Sequence, residues 1–215
     1  LLTKNGFFKL SFLSIEMKWL FSSRKQKLKI RKAISDEVES QIIKFNNLFS
    51  GKNNSISIDG HENIHMSPLI FFELMKLKDK YQIYEIRIPY EKINFIFLNF
   101  FNINLWTNFI KSLVINFLSI FYLPIIRQNN IKFHENFHGL IFSGVMTKKY
   151  FNQITNYYKK KSHQVITILL HPGYSSNRES DQWINKKRWQ YYNSRNRKIE
   201  YQIAIDPSIK SMLDQ

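Results

Sequence analysis

The sequence predicts an α/β fold with a largely parallel sheet, and three observations carry that expectation. Segments of helical period alternate with short β-branched runs along most of the 215 residues. One of those runs, residues 164–170 (QVITILL), is continuously apolar, as befits a strand covered on both faces. No internal repeat and no linker-like stretch interrupts the pattern, so residues 1–215 read as one domain.

Residues 33–49 place Ile34, Val38, Ile42, Phe45 and Phe49 on one helical face, with Ser35 and Asp36 near its start. The turn-rich SGKNNS ends that helix, and the alternating run SISID at 55–59 predicts a strand. A histidine-bearing loop leads to a helix over 68–80 that presents Leu69, Phe72, Leu74 and Met75, then to a second strand over 83–88 (IYEIRI). Residues 93–126 are long and apolar enough to span a bilayer. Yet Asn94, Asn99, Asn102, Asn104, Asn108, Asn116 and Lys111 are scattered through them, each costly among lipid tails. A buried or partly interfacial pair of helices is expected there instead of a span. HGLIFS (138–143) then reads as a strand, KKYFNQITNYYKKK (148–161) as a helix and QVITILL as the last strand.

Composition narrows the function. The 44% hydrophobic content supports a packed core, and the absence of cysteine removes disulfides, thiolate nucleophiles and cysteine-bound zinc. Any metal must be held by His, Asp, Glu or water, and a reducing, cytoplasmic location fits. A net charge of +16 raises the question of nucleic acid. The basic residues lie in a chain crowded with Asn, Ile, Phe and Tyr, as biased base composition produces. The densest run, RKQKLKIRK at 24–32, reads as a solvated helix face. No nucleic-acid partner is expected; peripheral membrane contact and a homodimer stay open.

In a parallel α/β fold, catalytic groups gather beyond the carboxyl ends of strands. Asp59 and His61 close the first visible strand, Ser143 and Gly144 close HGLIFS, and His171 closes QVITILL within His171-Pro172-Gly173. His61 and His65, four apart, could reach one cation from a helical turn; in an extended segment His61, Asn63 and His65 would share one side. The alternative is two histidines capping loop carbonyls. His171 suits proton transfer, because imidazole titrates near neutrality, or simply bonds the backbone before its turn. His134, His138 and His163 are assigned structural or surface duty.

These residues also carry a family pattern. IDGHENIHMSP resembles the D-[GS]-H-x-H-x-H block of the YdjC-like carbohydrate deacetylases, a group that includes chitooligosaccharide deacetylases and hopanoid-associated relatives. IYEIRIPYE (83–91), FHGLIFSGVMT (137–147), ILLHPGY (168–174) and SRNRKIEYQIAIDPSIK (194–210) are similar to further blocks of that family, in its order. The resemblance implies a distorted or incomplete (β/α) barrel lacking its first strand. It also implies a divalent-metal hydrolase, using Mg or Zn, that removes acetyl groups from N-acetylated sugars or oligosaccharides. By the same resemblance, His61 and His65 bind metal and His171 is the general acid. Asp59 is catalytic or a partner beside the site; Arg87 and Glu91 orient the site or substrate, with Asn63 and Ser143 near it.

Two departures qualify the match. Asn63 stands where the family's block has its middle histidine. Leu2-Thr3 aligns with the end of an H-x-x-L-T segment, so its metal-binding histidine and an earlier Asp-Asp strand are expected upstream of Leu1, and a final strand beyond Gln215. The alternatives are an inactive fragment and a membrane-associated relative acting on a lipid-linked sugar.

Overall fold

A computed structural model describes residues 12–49, 55–92, 103–159, 165–173, 189–190 and 193–209. The expectations for LLTKNG, for most of the SGKNNS link, for 93–102, for His163 and for the last six residues lie outside them. The chain divides into two compact units, Leu1–Ile88 with Leu118–Phe133, and Pro89–Phe117 with His134–Gln215. Helix α4 (Ile103–Gln128) lends residues to both.

The first unit opens with α1 (Phe12–Leu20) and α2 (Arg24–Phe49). Helix α2 starts nine residues before the predicted 33. Ser23 and Gln26 form a reciprocal capping box, each backbone N–H donating to the other's side chain at 3.3 and 3.4 Å. The stretch that follows contains no Gly or Pro to stop it. Ile30 and Ile34 pack with Ile15 of α1, against Trp19, Val38, Ile64, Leu69 and Ile70. Ile34 and Ile42 of the predicted stripe are buried. Phe45 and Phe49 are instead 45% and 58% exposed, tilted against each other at 4.7 Å where the helix outruns this core.

Strand β1 (Ile56–Ile58) pairs in parallel with β2 (Ile83–Ile86) in the register Ile56↔Ile83, Ser57↔Glu85, Ile58↔Ile86. On the far side of β2, Lys132 joins in parallel through Glu85. Both strands are shorter than predicted. Between them runs α3 (Pro68–Leu77), which has Pro68 in its first turn, the tolerated place for it. Glu16 accepts from the Ser67 hydroxyl and, at 3.3 Å, from the Leu69 N–H, so a carboxylate closes this helix start. Phe71 is the buried aromatic of α3, stacked on Tyr122 at 3.7 Å; the predicted Phe72 lies outside.

In the second unit β3 (Phe137–His138) pairs in parallel with β4 (Thr167–Ile168) in the register Phe137↔Thr167, His138↔Ile168. Helices α5 (Lys148–Lys159) and α6 (Arg195–Ile205) complete it. Leu105, Ile141, Phe142, Met146, Phe151, Ile154, Tyr158, Ile203 and Ile209 make its core. HGLIFS is not a strand beyond His138. Gly139 turns the chain at φ +109°, and a Cβ there would lie 2.6 Å from the Leu169 carbonyl oxygen. The N–H groups of Gly139 and Ile141 go to the Glu91 carboxylate instead of a neighbouring strand. QVITILL contributes only Thr167 and Ile168 to a ladder, both half-buried. The described part of the apolar region is one helix, not two, with Pro124 inside it.

The fold is therefore mixed α/β with parallel strand pairs, and the described strands do not close a barrel.

Candidate active site

In the first unit the site begins where β1 ends. Asp59, Gly60 and a tight turn over His61–Met66 follow the strand, and within that turn Glu62 and Asn63 both adopt left-handed backbone, φ 52° and 57°. Asn tolerates that conformation; Glu does so at a cost of about 1 kcal/mol or more, which the surrounding bonds must offset. Those bonds come from Arg87, just past β2. Its Nη2 reaches Asp59 Oδ1 at 2.6 Å and donates to Asn63 Oδ1 at 2.9 Å, while its backbone N–H donates to the Ile58 carbonyl at 3.0 Å. One guanidinium thus spans the turn from its first residue to its middle.

His65 fastens the other side. The Gly60 N–H donates to its Nδ1 at 2.9 Å, so Nε2 carries the proton and donates to the Arg87 carbonyl at 2.7 Å. The ring is buried, and burial, more than any neighbour, pushes its pKa down to about 4. His61 has the opposite environment: its side chain is 85% exposed, with Nε2 3.9 Å from Glu62 Oε1.

The expected two-histidine cation site needs a His65 lone pair, and in this arrangement both His65 nitrogens are engaged by backbone, Nδ1 by the Gly60 N–H and Nε2 by the Arg87 carbonyl. Among the described residues, no three His, Asp or Glu side chains converge on a cation position. At this turn they offer the exposed His61 imidazole and the exposed Asp59 and Glu62 carboxylates.

In the second unit, Glu91 is buried and both its oxygens are engaged: Oε1 accepts from the Gly139 N–H at 2.9 Å and Oε2 from the Ile141 N–H at 3.0 Å. Asn116 of α4 clasps its backbone, accepting from the Glu91 N–H at 2.9 Å and donating to the Glu91 carbonyl at 2.8 Å. His138 lies beside the same carboxylate at 3.6 Å and pairs through Nε2 with the Tyr158 hydroxyl at 2.8 Å, a structural duty as expected. Glu91 therefore shapes the Gly139–Ser143 turn from within. Asn108 of α4 braces the same turn, donating to the Ile141 and Ser143 carbonyls at 3.1 and 2.8 Å.

Ser143 ends that turn with its Oγ 3.5 Å from His171 Nε2. Behind His171 stands Glu200, wholly buried on α6. It accepts the His171 N–H and, at 3.1 Å, the Met146 N–H, and its Oε2 lies 3.9 Å from His171 Nδ1. Burial raises the Glu200 pKa, against the opposing pull of the two N–H groups and of Arg197. The Gly173 N–H donates to the Arg197 carbonyl at 3.2 Å, so α6 holds the His-Pro-Gly turn at both ends.

Glu200, Arg197 and Asn108 were not singled out from sequence. Their signal was present for the first two: Arg197 and Glu200 are charged residues three apart on one helix face, and both are buried. Asn108 gave none, being one asparagine among many.

No curated protein and no solved structure matches this chain. The family model described as YdjC-like protein matches residues 1–215, the full chain and every block named above. That family is carbohydrate deacetylase-related, and the chain belongs to the YdjC-like family.

Proposed function

We propose that this chain serves the removal of acetyl groups from N-acetylated sugars in a reaction that depends on a divalent cation. The observation that carries the proposal is the His61 turn. A largely exposed imidazole is displayed on a strained backbone that Arg87, Asn63 and His65 hold in place, which is how a ligand or catalytic group is kept pre-organised. A divalent cation, when bound, polarises the amide carbonyl and lowers the pKa of water; His61 is the imidazole this chain offers it.

The other roles belong to the chain's own groups. Asp59, half exposed beside His61 in sequence, is the carboxylate assigned to accept a proton, with Arg87 fixing its orientation. His171 is assigned to deliver a proton to the departing amine. Its backbone N–H is tied to Glu200 and its Nε2 faces Ser143, so the ring is held with one nitrogen toward a hydroxyl that can relay or bind. Glu91 and Asn108 keep the Ser143 turn in shape. Each unit contributes one parallel strand pair, the pairing that a (β/α) barrel uses.

The test is acetate release from N-acetylglucosamine oligomers by the purified protein, with Mg or Zn added, compared with His61→Ala and His171→Ala. Loss of at least about a hundredfold in each variant, with unfolding unchanged, supports the roles; full activity in either removes that residue from the chemistry.

A further inference from the structure

Helix α4 leaves a large apolar face uncovered. Its inward side carries Leu105, Ser112, Asn116, Ser119, Tyr122 and Ile126, all buried, while Trp106, Ile110, Leu113, Val114, Phe117, Ile120 and Phe121 are exposed, Ile110 by 61% and Phe117 by 60%. At 100° per residue those seven side chains fall within an arc of about 120°, running about 22 Å along the helix. Scattered exposed apolar residues are ordinary; a continuous stripe of this size marks a surface that something covers.

We propose that this face of α4 lies in the interface of an anionic lipid bilayer. The charge around the stripe selects that occupant. Helix α4 contains no acidic residue, and the exposed Lys111 and Arg127 flank the apolar arc, about 60° beyond one edge and about 20° beyond the other, where long cationic stems reach headgroups. The chain's net charge of +16 attracts an anionic surface and repels a second copy of itself. Trp106, near the first turn, is the amphipathic aromatic expected at such a boundary.

The helix lies along the surface and does not cross it, although Leu105–Gln128 is apolar and long enough to span. Its opposite side is bound to the protein. Asn108 holds the Ile141 and Ser143 carbonyls, Asn116 holds the Glu91 backbone, and Tyr122 stacks on Phe71. Leaving the fold would break every one of these and carry the asparagines into hydrocarbon. In the second unit the same helix thus braces the Ser143 turn through Asn108 and exposes Trp106, Ile110, Leu113, Val114 and Phe117.

Flotation of the whole protein with vesicles tests the proposal without reference to catalysis. Vesicles of phosphatidylcholine and phosphatidylglycerol at about 2:1 should carry the protein upward, and pure phosphatidylcholine should bind it at least about tenfold more weakly. The double substitution Ile110→Glu with Phe117→Glu should reduce binding to anionic vesicles at least about tenfold while leaving thermal unfolding unchanged. Should that variant unfold, Leu113→Ser with Phe117→Ser replaces it. Absence of flotation on anionic vesicles, equal flotation of a folded variant, or a dimer in lipid-free sedimentation that the variant dissociates would each overturn the proposal.

Discussion

The Gly60 N–H donates to His65 Nδ1 at 2.9 Å, and a Cβ on Gly60 would sit 2.7 Å from that nitrogen and 2.9 Å from the His65 backbone nitrogen. The backbone angle at Gly60 is an ordinary φ −89°, so the glycine is required by space and not by conformation. Gly60→Ala should therefore destabilise the protein by about 2 kcal/mol, because the obstacle includes main chain that cannot swing aside. Urea unfolding measures it; a loss below about 0.5 kcal/mol would mean that the turn is looser than described.

His65 predicts a pH dependence. Folding holds its ring neutral with a pKa of about 4, against 6.5 when solvated. The unfolded chain binds the extra proton, so the contribution is fully present above pH 6.5 and is lost as pH falls toward 4, by on the order of 3 kcal/mol. Glu200 works in the opposite sense: its raised pKa gives up stability as pH rises above the ordinary carboxylate value. The comparison that isolates His65 is the slope of stability against pH in the protein and in His65→Gln, which should be shallower in the variant.

Glu91→Gln tests the buried carboxylate. One oxygen would become an amide group facing a backbone N–H of Gly139 or Ile141, donor against donor in a dry site. A loss of about 2 to 3 kcal/mol is expected in chemical denaturation, together with reduced activity through the Ser143 turn. A neutral outcome would show that the turn holds without Glu91.

Arg87→Lys separates positioning from stability. Asp59 is 58% exposed, so the pair adds little to folding, and the melting temperature should move by less than about 5 °C. A lysine ammonium cannot reproduce the guanidinium's planar bridge to Asp59 and Asn63, and acetate release should fall at least about tenfold. Unchanged activity would leave Arg87 a purely structural residue.

Much of this was legible in the sequence where a local rule governs. The alternation at 55–59 and the position of His61 after it follow from strand period, and the parallel pairing follows from the helices between strands. The start of α2 was legible too, in Ser23 and Gln26, and was missed because the apolar stripe begins later. What sequence could not give were long-range assignments. His65 has the spacing of a ligand, and only its two backbone partners, one of them 22 residues away, show where its nitrogens go. HGLIFS has a strand's composition, yet Glu91, about fifty residues earlier, takes the N–H groups that a ladder would need. Phe45 and Phe49 continue a true helical face past the end of the core they were expected to join.

In the proposed function His61 is the imidazole through which this chain serves a metal-dependent deacetylation. Acetate release from N-acetylglucosamine oligomers, followed with and without added divalent cation in the protein and in His61→Ala, is the decisive measurement. Cation-dependent release is expected, falling at least about a hundredfold in a variant that unfolds at the same temperature. Release that is indifferent to cation, or undiminished in His61→Ala, would contradict it.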